Sequence, residues 1–179
     1  MSIVIGENEV YFAKMKSDAI IPSKRDEDAG YDIYSCFEGD YFVIESGTTK
    51  GVPTGVETAF SKKYYFQVEE RGSTAKIGMK KSAGVIDSGY RGEYIIMLYN
   101  SNKKHVIISK VAENDIPEEI NIDGNVYKKN DCVIYPSTKA IAQLVLHEVP
   151  VVEVKEVSYE ELCKISSERG VGGWGSSKK

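Results

Sequence analysis

Several stretches of the chain hold residues able to handle an anionic, ring-bearing ligand. In "AGVIDSGYRGEY" (83–94), apolar residues run into Asp87, a Ser–Gly turn follows, and Tyr90 stands beside it. This reads as a β-hairpin with a carboxylate at its tip. Such a carboxylate can orient a water, Tyr90 can hold a flat ring, and exposed backbone groups can pair with a base edge. The plainer alternative is a turn aspartate beside a cross-strand packing tyrosine. In "DAGYDIYS" (28–35), Asp32 sits in an apolar–aromatic strand. An inward acid there is costly unless paired or bound to a metal, and surface placement is the other option. In "EERGSTA" (69–75), a strand ends in Arg71, Gly72, Ser73 and Thr74. An arginine with nearby backbone N–H groups could cradle a phosphate, or could simply be solvated in a turn. In "AIAQLVL" (140–146), Gln143 interrupts an apolar strand, so its amide needs partners, structural or in a ligand. The tail "SERGVGGWGSSKK" (167–179) puts four glycines around the sole tryptophan, Trp174, between Arg169 and the hydroxyls of Ser176 and Ser177.

The elements that must position these residues read as β almost throughout. Tyr41–Glu45, Tyr64–Glu69, Tyr94–Asn100, His105–Ser109, Ala140–Val149 and Val151–Val157 are short and rich in Val, Ile and Tyr, and several alternate apolar with polar residues. Gly and Pro punctuate them, as in a sandwich or barrel. "STAKIGMK" could hold one or two helical turns, and "SYEELCKIS" has a capping-box pattern, read here as a surface turn. Residues 101–139 form a long polar connection, a loop or an inserted hairpin turning at Asp123–Gly124. The expected organisation is one β domain over residues 1–166 and a flexible Gly-rich arm over 167–179.

Bulk composition narrows the chemistry. The 179 residues fit one domain, and 41% hydrophobic content is enough for a core. A net charge of −4 gives no electrostatic reason to expect nucleic acid or an anionic membrane as partner. An anionic substrate therefore needs local cations or a metal. Cys36, Cys132 and Cys163 form no CxxC pair, and His105 and His147 are far apart, which disfavours a disulfide framework, a zinc site or a histidine triad. No apolar run approaches ~18 residues and no signal-peptide pattern is visible, so a cytoplasmic location is expected.

Taken together and in order, the stretches resemble the five motifs of the trimeric dUTPase family (dUTP diphosphatase). Ala29–Ile33 matches the first motif, "RGSTA" part of the second, and Gly84–Gly92, "GVIDSGYRG", the third residue for residue. Ile141–Leu144 matches the fourth, and Arg169–Ser176 the fifth, with Trp174 where phenylalanine is usual. The resemblance implies an all-β, distorted jelly-roll or β-barrel fold, a homotrimer with active sites shared among three subunits, and Mg²⁺-dependent hydrolysis of dUTP to dUMP and pyrophosphate. It casts Asp87 as the residue that orients and deprotonates the attacking water. Gly84, Val85 and Ile86 would read the uracil edge, and Tyr90 would exclude a 2′-hydroxyl. Arg71, Gly72, Ser73 and Gln143 would line the phosphates, and Asp32 would hold Mg²⁺ through water. Arg169, Gly175, Ser176 and Ser177 would clamp the terminal phosphate, with Trp174 over the base.

Three departures stand out. Gly72 replaces a usual serine, so a hydroxyl near the phosphates is missing unless Ser73 or Thr74 stands in. Ala140 replaces the arginine that commonly opens the fourth motif, and a repacked network is expected there. The 101–139 connection is longer than usual, as in some phage members, and could bind a protein regulator. Two rivals follow from this reading. A regulator-binding homologue would keep hydrolysis as a secondary activity. A dCTP deaminase would need a glutamate where this chain has Met97, which cannot move a proton.

Overall fold

In the segment Tyr64–Glu69, Phe66 and Val68 are buried while Tyr65, Gln67 and Glu69 are half-exposed, the period-two pattern of a strand with one face on a core. A computed structural model describes residues 3–170 and shows this pattern repeated along the chain. The elements run β1 (Val10–Lys14), β2 (Gly30–Ile33), β3 (Tyr41–Ile44), β4 (Thr49–Pro53), β5 (Val56–Phe60), β6 (Tyr64–Glu69), α1 (Gly72–Lys76), β7 (Met79–Lys81) and β8 (Val85–Asp87). They continue with β9 (Ile95–Asn100), β10 (His105–Ser109), β11 (Glu119–Ile122), β12 (Asn125–Lys128), β13 (Cys132–Pro136), β14 (Ala142–Glu148) and α2 (Tyr159–Lys164).

These strands form small sheets ordered β2–β14–β6–β8, β13–β10–β3 and β4–β9–β7, plus the pairs β1–β5 and β11–β12. One core joins the three larger sheets: Ile33, Phe66 and Leu144 from the first, Ile44, Val106 and Ile108 from the second, Val52, Met79 and Ile96 from the third. Several sheets curled around a shared apolar centre make a jelly-roll-like fold, as expected from the sequence.

The structure redraws the long connection. β10 pairs in parallel with β13 and antiparallel with β3, so both flanks of residues 101–139 belong to the body. Parallel neighbours need a crossover, and residues 110–131 supply it. That crossover contains the β11–β12 hairpin, which turns at Asp123 (φ 50°) and Gly124 (φ 83°). Left-handed φ at both turn residues matches the right-handed twist of the flanking strands. The hairpin does not hang free: Ile120, Ile122 and Tyr127 pack with Val43, Ile107 and Ile116 in a second cluster.

Two further sequence expectations change. Val151–Val157 forms no strand, because alternation alone does not make one: a strand needs a ladder partner, and these exposed residues have none among the described residues. Conversely, the surface turn expected at Ser158 is the start of a real helix. Ser158 Oγ accepts from Glu161 N at 3.2 Å and the Glu161 carboxylate accepts from Ser158 N at 2.9 Å, so the cap closes in both directions. The chain divides into two compact units, Met1–Val149 and Pro150–Lys179, and α2 lies in the second.

Candidate active site

The outer face of the sheet β2–β14–β6–β8 carries Asp32, Gln143 and Asp87. Strand register puts Asp32, Gln143 and Glu69 in one row across β2, β14 and β6, and Asp87, Tyr65 and His147 in another across β8, β6 and β14. Residues paired directly across antiparallel strands share a face, so both rows point away from Phe66 and the core.

The first row opens onto a polar cleft of about 660 Å³, lined among others by Ser23, Lys24, Arg25, Asp32, Arg71 and Gln143. Arg71 follows β6 directly and its Nε lies 2.9 Å from Asp32 Oδ1, with the two side chains 32% and 30% exposed. The acid in the strand is therefore paired, which answers how a half-buried carboxylate is tolerated. Gln143 donates from Nε2 to Glu70 O at 2.9 Å. Its side chain needs Gly30 diagonally across on β2: a Cβ there would lie 2.4 Å from Gln143 Oε1.

The residues after Arg71 resolve the first departure. Thr74 is buried, and its hydroxyl donates to Arg71 O at 2.9 Å and accepts from Arg71 N at 3.2 Å, capping α1. The Ser73 hydroxyl is 3.3 Å from the Tyr135 hydroxyl, which itself donates to Ala140 O at 2.7 Å. Thr74 is thus committed to the cap, and Ser73 is shared with Tyr135. The same bonds show how the Ala140 region is repacked: Tyr135 bridges it to the Arg71 turn, and burial pushes the Tyr135 phenol up in pKa.

The third motif lies elsewhere and is not the hairpin that its sequence suggested. β8 pairs with β6, whereas β9 pairs with β4 and β7, so the chain crosses between two sheets at residues 88–94. The physical reason is that β4 and β7 occupy both edges of β9, which leaves it no free edge for β8. β8 is the edge of its sheet, and its backbone on the side away from β6 has no strand partner among the described residues. Beside that edge lies a cavity of about 270 Å³ lined by Val68, Gly84, Val85, Ile86, Asp87, Tyr90 and Glu93–Ile96. It combines apolar walls, an open strand edge and one exposed carboxylate at its rim, which suits a planar heterocycle with hydrogen-bonding edges. Gly84 is needed here because a Cβ would lie 2.5 Å from Gln67 Nε2 and 3.2 Å from Val68 O.

Asp87 and Arg71, by contrast, lie far apart within one chain. Asp87 stands opposite Tyr65, and Arg71 follows six residues later in the same direction, which at strand spacing is ~20 Å. Of the fifth motif, Arg169 is described and exposed, with its N–H bonded to Ser167 Oγ at 3.3 Å. Trp174, Gly175, Ser176 and Ser177 lie outside the described residues.

Comparison with known proteins bears on this arrangement. The family model dUTPase matches residues 16–113, more than half of the chain. The deoxyuridine 5′-triphosphate nucleotidohydrolase of Clostridioides difficile is 32% identical over 168 residues, covering 92% of this chain and 94% of that protein. This chain belongs to the dUTPase family. The Pol polyprotein of caprine arthritis encephalitis virus is also similar, 37% identical over 101 residues, of which the chain spans only 9%. The fold agrees with that of the Staphylococcus bacteriophage 80alpha dUTPase solved with dUPNHPP, at TM-score 0.70 and 24% identity, over 95% of this chain and 98% of that one.

Within this family member, sequence reasoning missed Lys24 and Arg25 in the polar cleft and Glu93 in the apolar one. Lys24 and Arg25 sit in a charged stretch with no alternation to mark them. Arg25 is held by two bonds to Asp28, at 2.8 and 2.9 Å, which keep the Asp28 carboxyl below the usual carboxylate range. For Glu93 the available signal was its place directly after the third motif.

Proposed function

We propose that the protein hydrolyses dUTP to dUMP and pyrophosphate. The observation that carries this is the edge of β8: an open backbone ladder beside an apolar slot, with Asp87 at its end and Tyr90 alongside. Uracil has the planar shape and alternating acceptor–donor edge to add to such a ladder, and the deoxyribose would then rest against Tyr90. A packed aromatic ring there rejects a 2′-hydroxyl sterically. Asp87 orients a water for attack on the α-phosphorus and takes its proton. The water oxygen bonds to phosphorus, the bridging oxygen leaves with pyrophosphate, and dUMP retains the α-phosphate. Such chemistry needs chiefly positioning and charge control.

Arg71, Gln143 and the cations of the polar cleft suit the phosphate chain. No group of three or more His, Cys, Asp or Glu suited to a metal occurs among the described residues. Mg²⁺ fits this site as an ion carried in with the phosphates, its remaining ligands mostly water, and Asp32 as the nearby carboxylate. When bound it would neutralise phosphate charge. The ~20 Å between Asp87 and Arg71 supports an assembly in which one copy supplies the base slot and another the phosphate cleft, because a water held by Asp87 must sit within hydrogen-bond reach of the same nucleotide. We therefore take the protein as a homotrimer with shared sites, closed by the Arg169–Ser177 tail.

The test is pyrophosphate release from dUTP, dTTP, dCTP and UTP, with and without Mg²⁺, by the wild type and Asp87→Asn. Activity confined to dUTP and cut by ~10²–10⁴ in the variant, with binding of a non-hydrolysable dUTP analogue retained, is expected. Unchanged turnover in the variant would remove Asp87 from its role, and inactivity on all four nucleotides would sink the reading. Ammonia release from dCTP would favour the deaminase instead.

A further inference from the structure

The crossing between β8 and β9 has no ladder of its own, yet it must hold Tyr90 still. Its far end is fastened by Glu93. One carboxylate oxygen, Oε1, accepts from Thr54 N at 3.1 Å and from Gly55 N at 2.7 Å, in the turn between β4 and β5. The next residue is fastened to the same turn. Thr54 Oγ1 donates to Tyr94 O at 2.7 Å, Tyr94 N donates to Val56 O at 2.9 Å, and the Tyr94 hydroxyl bonds the Thr58 hydroxyl. That turn is itself rigid. Thr54 is fully buried, and Gly55 has φ +65° with a would-be Cβ only 2.9 Å from Ala19 Cβ.

Tyr90 is built on this anchor. Its ring stacks on Tyr94 with centroids 6.3 Å apart and planes 17° from parallel, and its hydroxyl donates to Glu93 O at 3.1 Å. Its hydroxyl end also lies over Gly92, where a Cβ would be 2.5 Å from the Tyr90 oxygen. At the near end the Arg91 guanidinium donates to Ser88 O at 2.6 Å and Tyr90 O at 2.9 Å and makes a longer contact of 3.4 Å with Thr58 O in β5, beyond the β4–β5 turn. Among the described residues, the carboxylate of Glu93 is thus one of two side-chain links between the crossing and that turn, beside the bond from Thr54 Oγ1 to Tyr94 O.

We propose that Glu93 is a positioning residue for sugar selection: its carboxylate ties the loop to the β4–β5 turn and thereby holds Tyr90 where a 2′-hydroxyl would collide. This rests on the dUTP reading above. An acceptor bound to two backbone N–H groups is occupied by structure, which separates Glu93 from Asp87 although both line one cavity. A tyrosine freed to shift by about 1 Å would admit the extra hydroxyl, and misplacements of that size commonly cost a large factor in rate.

The experiment measures kcat and KM for dUTP and UTP in wild type, E93A, E93Q and E93D, with near-UV circular dichroism to establish folding. In E93A the preference for dUTP over UTP should fall at least about tenfold, more than kcat for dUTP alone falls. E93Q keeps a side-chain oxygen able to accept from Thr54 and Gly55, and should recover most of the preference. E93D draws the acceptor back by one methylene and should fall between, and it carries the test if E93A does not fold. An unchanged preference in folded E93A or E93D, or no recovery in E93Q, overturns the inference. A wild type that does not hydrolyse dUTP would overturn the proposed reaction instead.

Discussion

Replacing Gly72 by serine tests where the triphosphate lies. A Cβ built at Gly72 meets no heavy atom within 4 Å, and its φ is outside the left-handed region, so serine enters without strain. Position 72 opens α1 directly after Arg71, which lines the polar cleft. Neither neighbouring hydroxyl is spare: Thr74 caps the helix and Ser73 is shared with Tyr135. A new hydroxyl facing phosphate would add one hydrogen bond to a charged group, worth about 1.5–3 kcal/mol in the best case. That corresponds to roughly ten- to a hundredfold in kcat/KM for dUTP. Stability should hold or rise slightly, since glycine is a poor helix residue. The assay is steady-state pyrophosphate release alongside a thermal melt. An unchanged kcat/KM in a variant that melts at or above the wild-type temperature would refute the placement of the phosphates at this turn.

Two other outcomes follow from the same geometry. Replacing Lys24 and Arg25 together by alanine should raise KM for dUTP by about fivefold or less at low salt with little change in kcat, because exposed charges contribute up to ~1 kcal/mol and are screened. The KM difference should shrink at high salt, and a salt-independent difference would point to lost packing instead. Burial pushes the Tyr94 phenol from its ordinary 10.0 up to about 12, with the bond to the Thr58 hydroxyl opposing the rise. A raised pKa in the folded state means that Tyr94 stabilises fully below pH 10, and that this contribution is lost as pH climbs towards about 12. Tyr94→Phe should therefore flatten the alkaline loss of stability in chemical denaturation over that window, and an unaltered slope would contradict it.

Residue types alone left a structural alternative open for each of Asp32, Arg71, Asp87, Tyr90 and Gln143, and it was their order along the chain that grouped them as one candidate site. β6 and β10 were legible to the residue, since alternation over six residues in β6 and a short run of Val and Ile in β10 are local signals. β4, β7 and β13 were not, being short, Gly- or Lys-bearing, or flanked by polar runs. Val151–Val157 shows the opposite failure, a strand-like pattern without a partner.

What the sequence determined by itself was a list of functional groups and an all-β chain to carry them. Pairing was decided only in three dimensions. Local pattern cannot tell that β8 joins β6 while β9 joins β4 and β7, because register depends on residues tens of positions away. That choice turns an expected hairpin into a crossing with an open edge and gives Glu93 a turn to hold, while β14, by pairing with both β2 and β6, brings Asp32 to Arg71. It also sets Asp87 beside the start of β6 and Arg71 just past its end, ~20 Å apart at strand spacing.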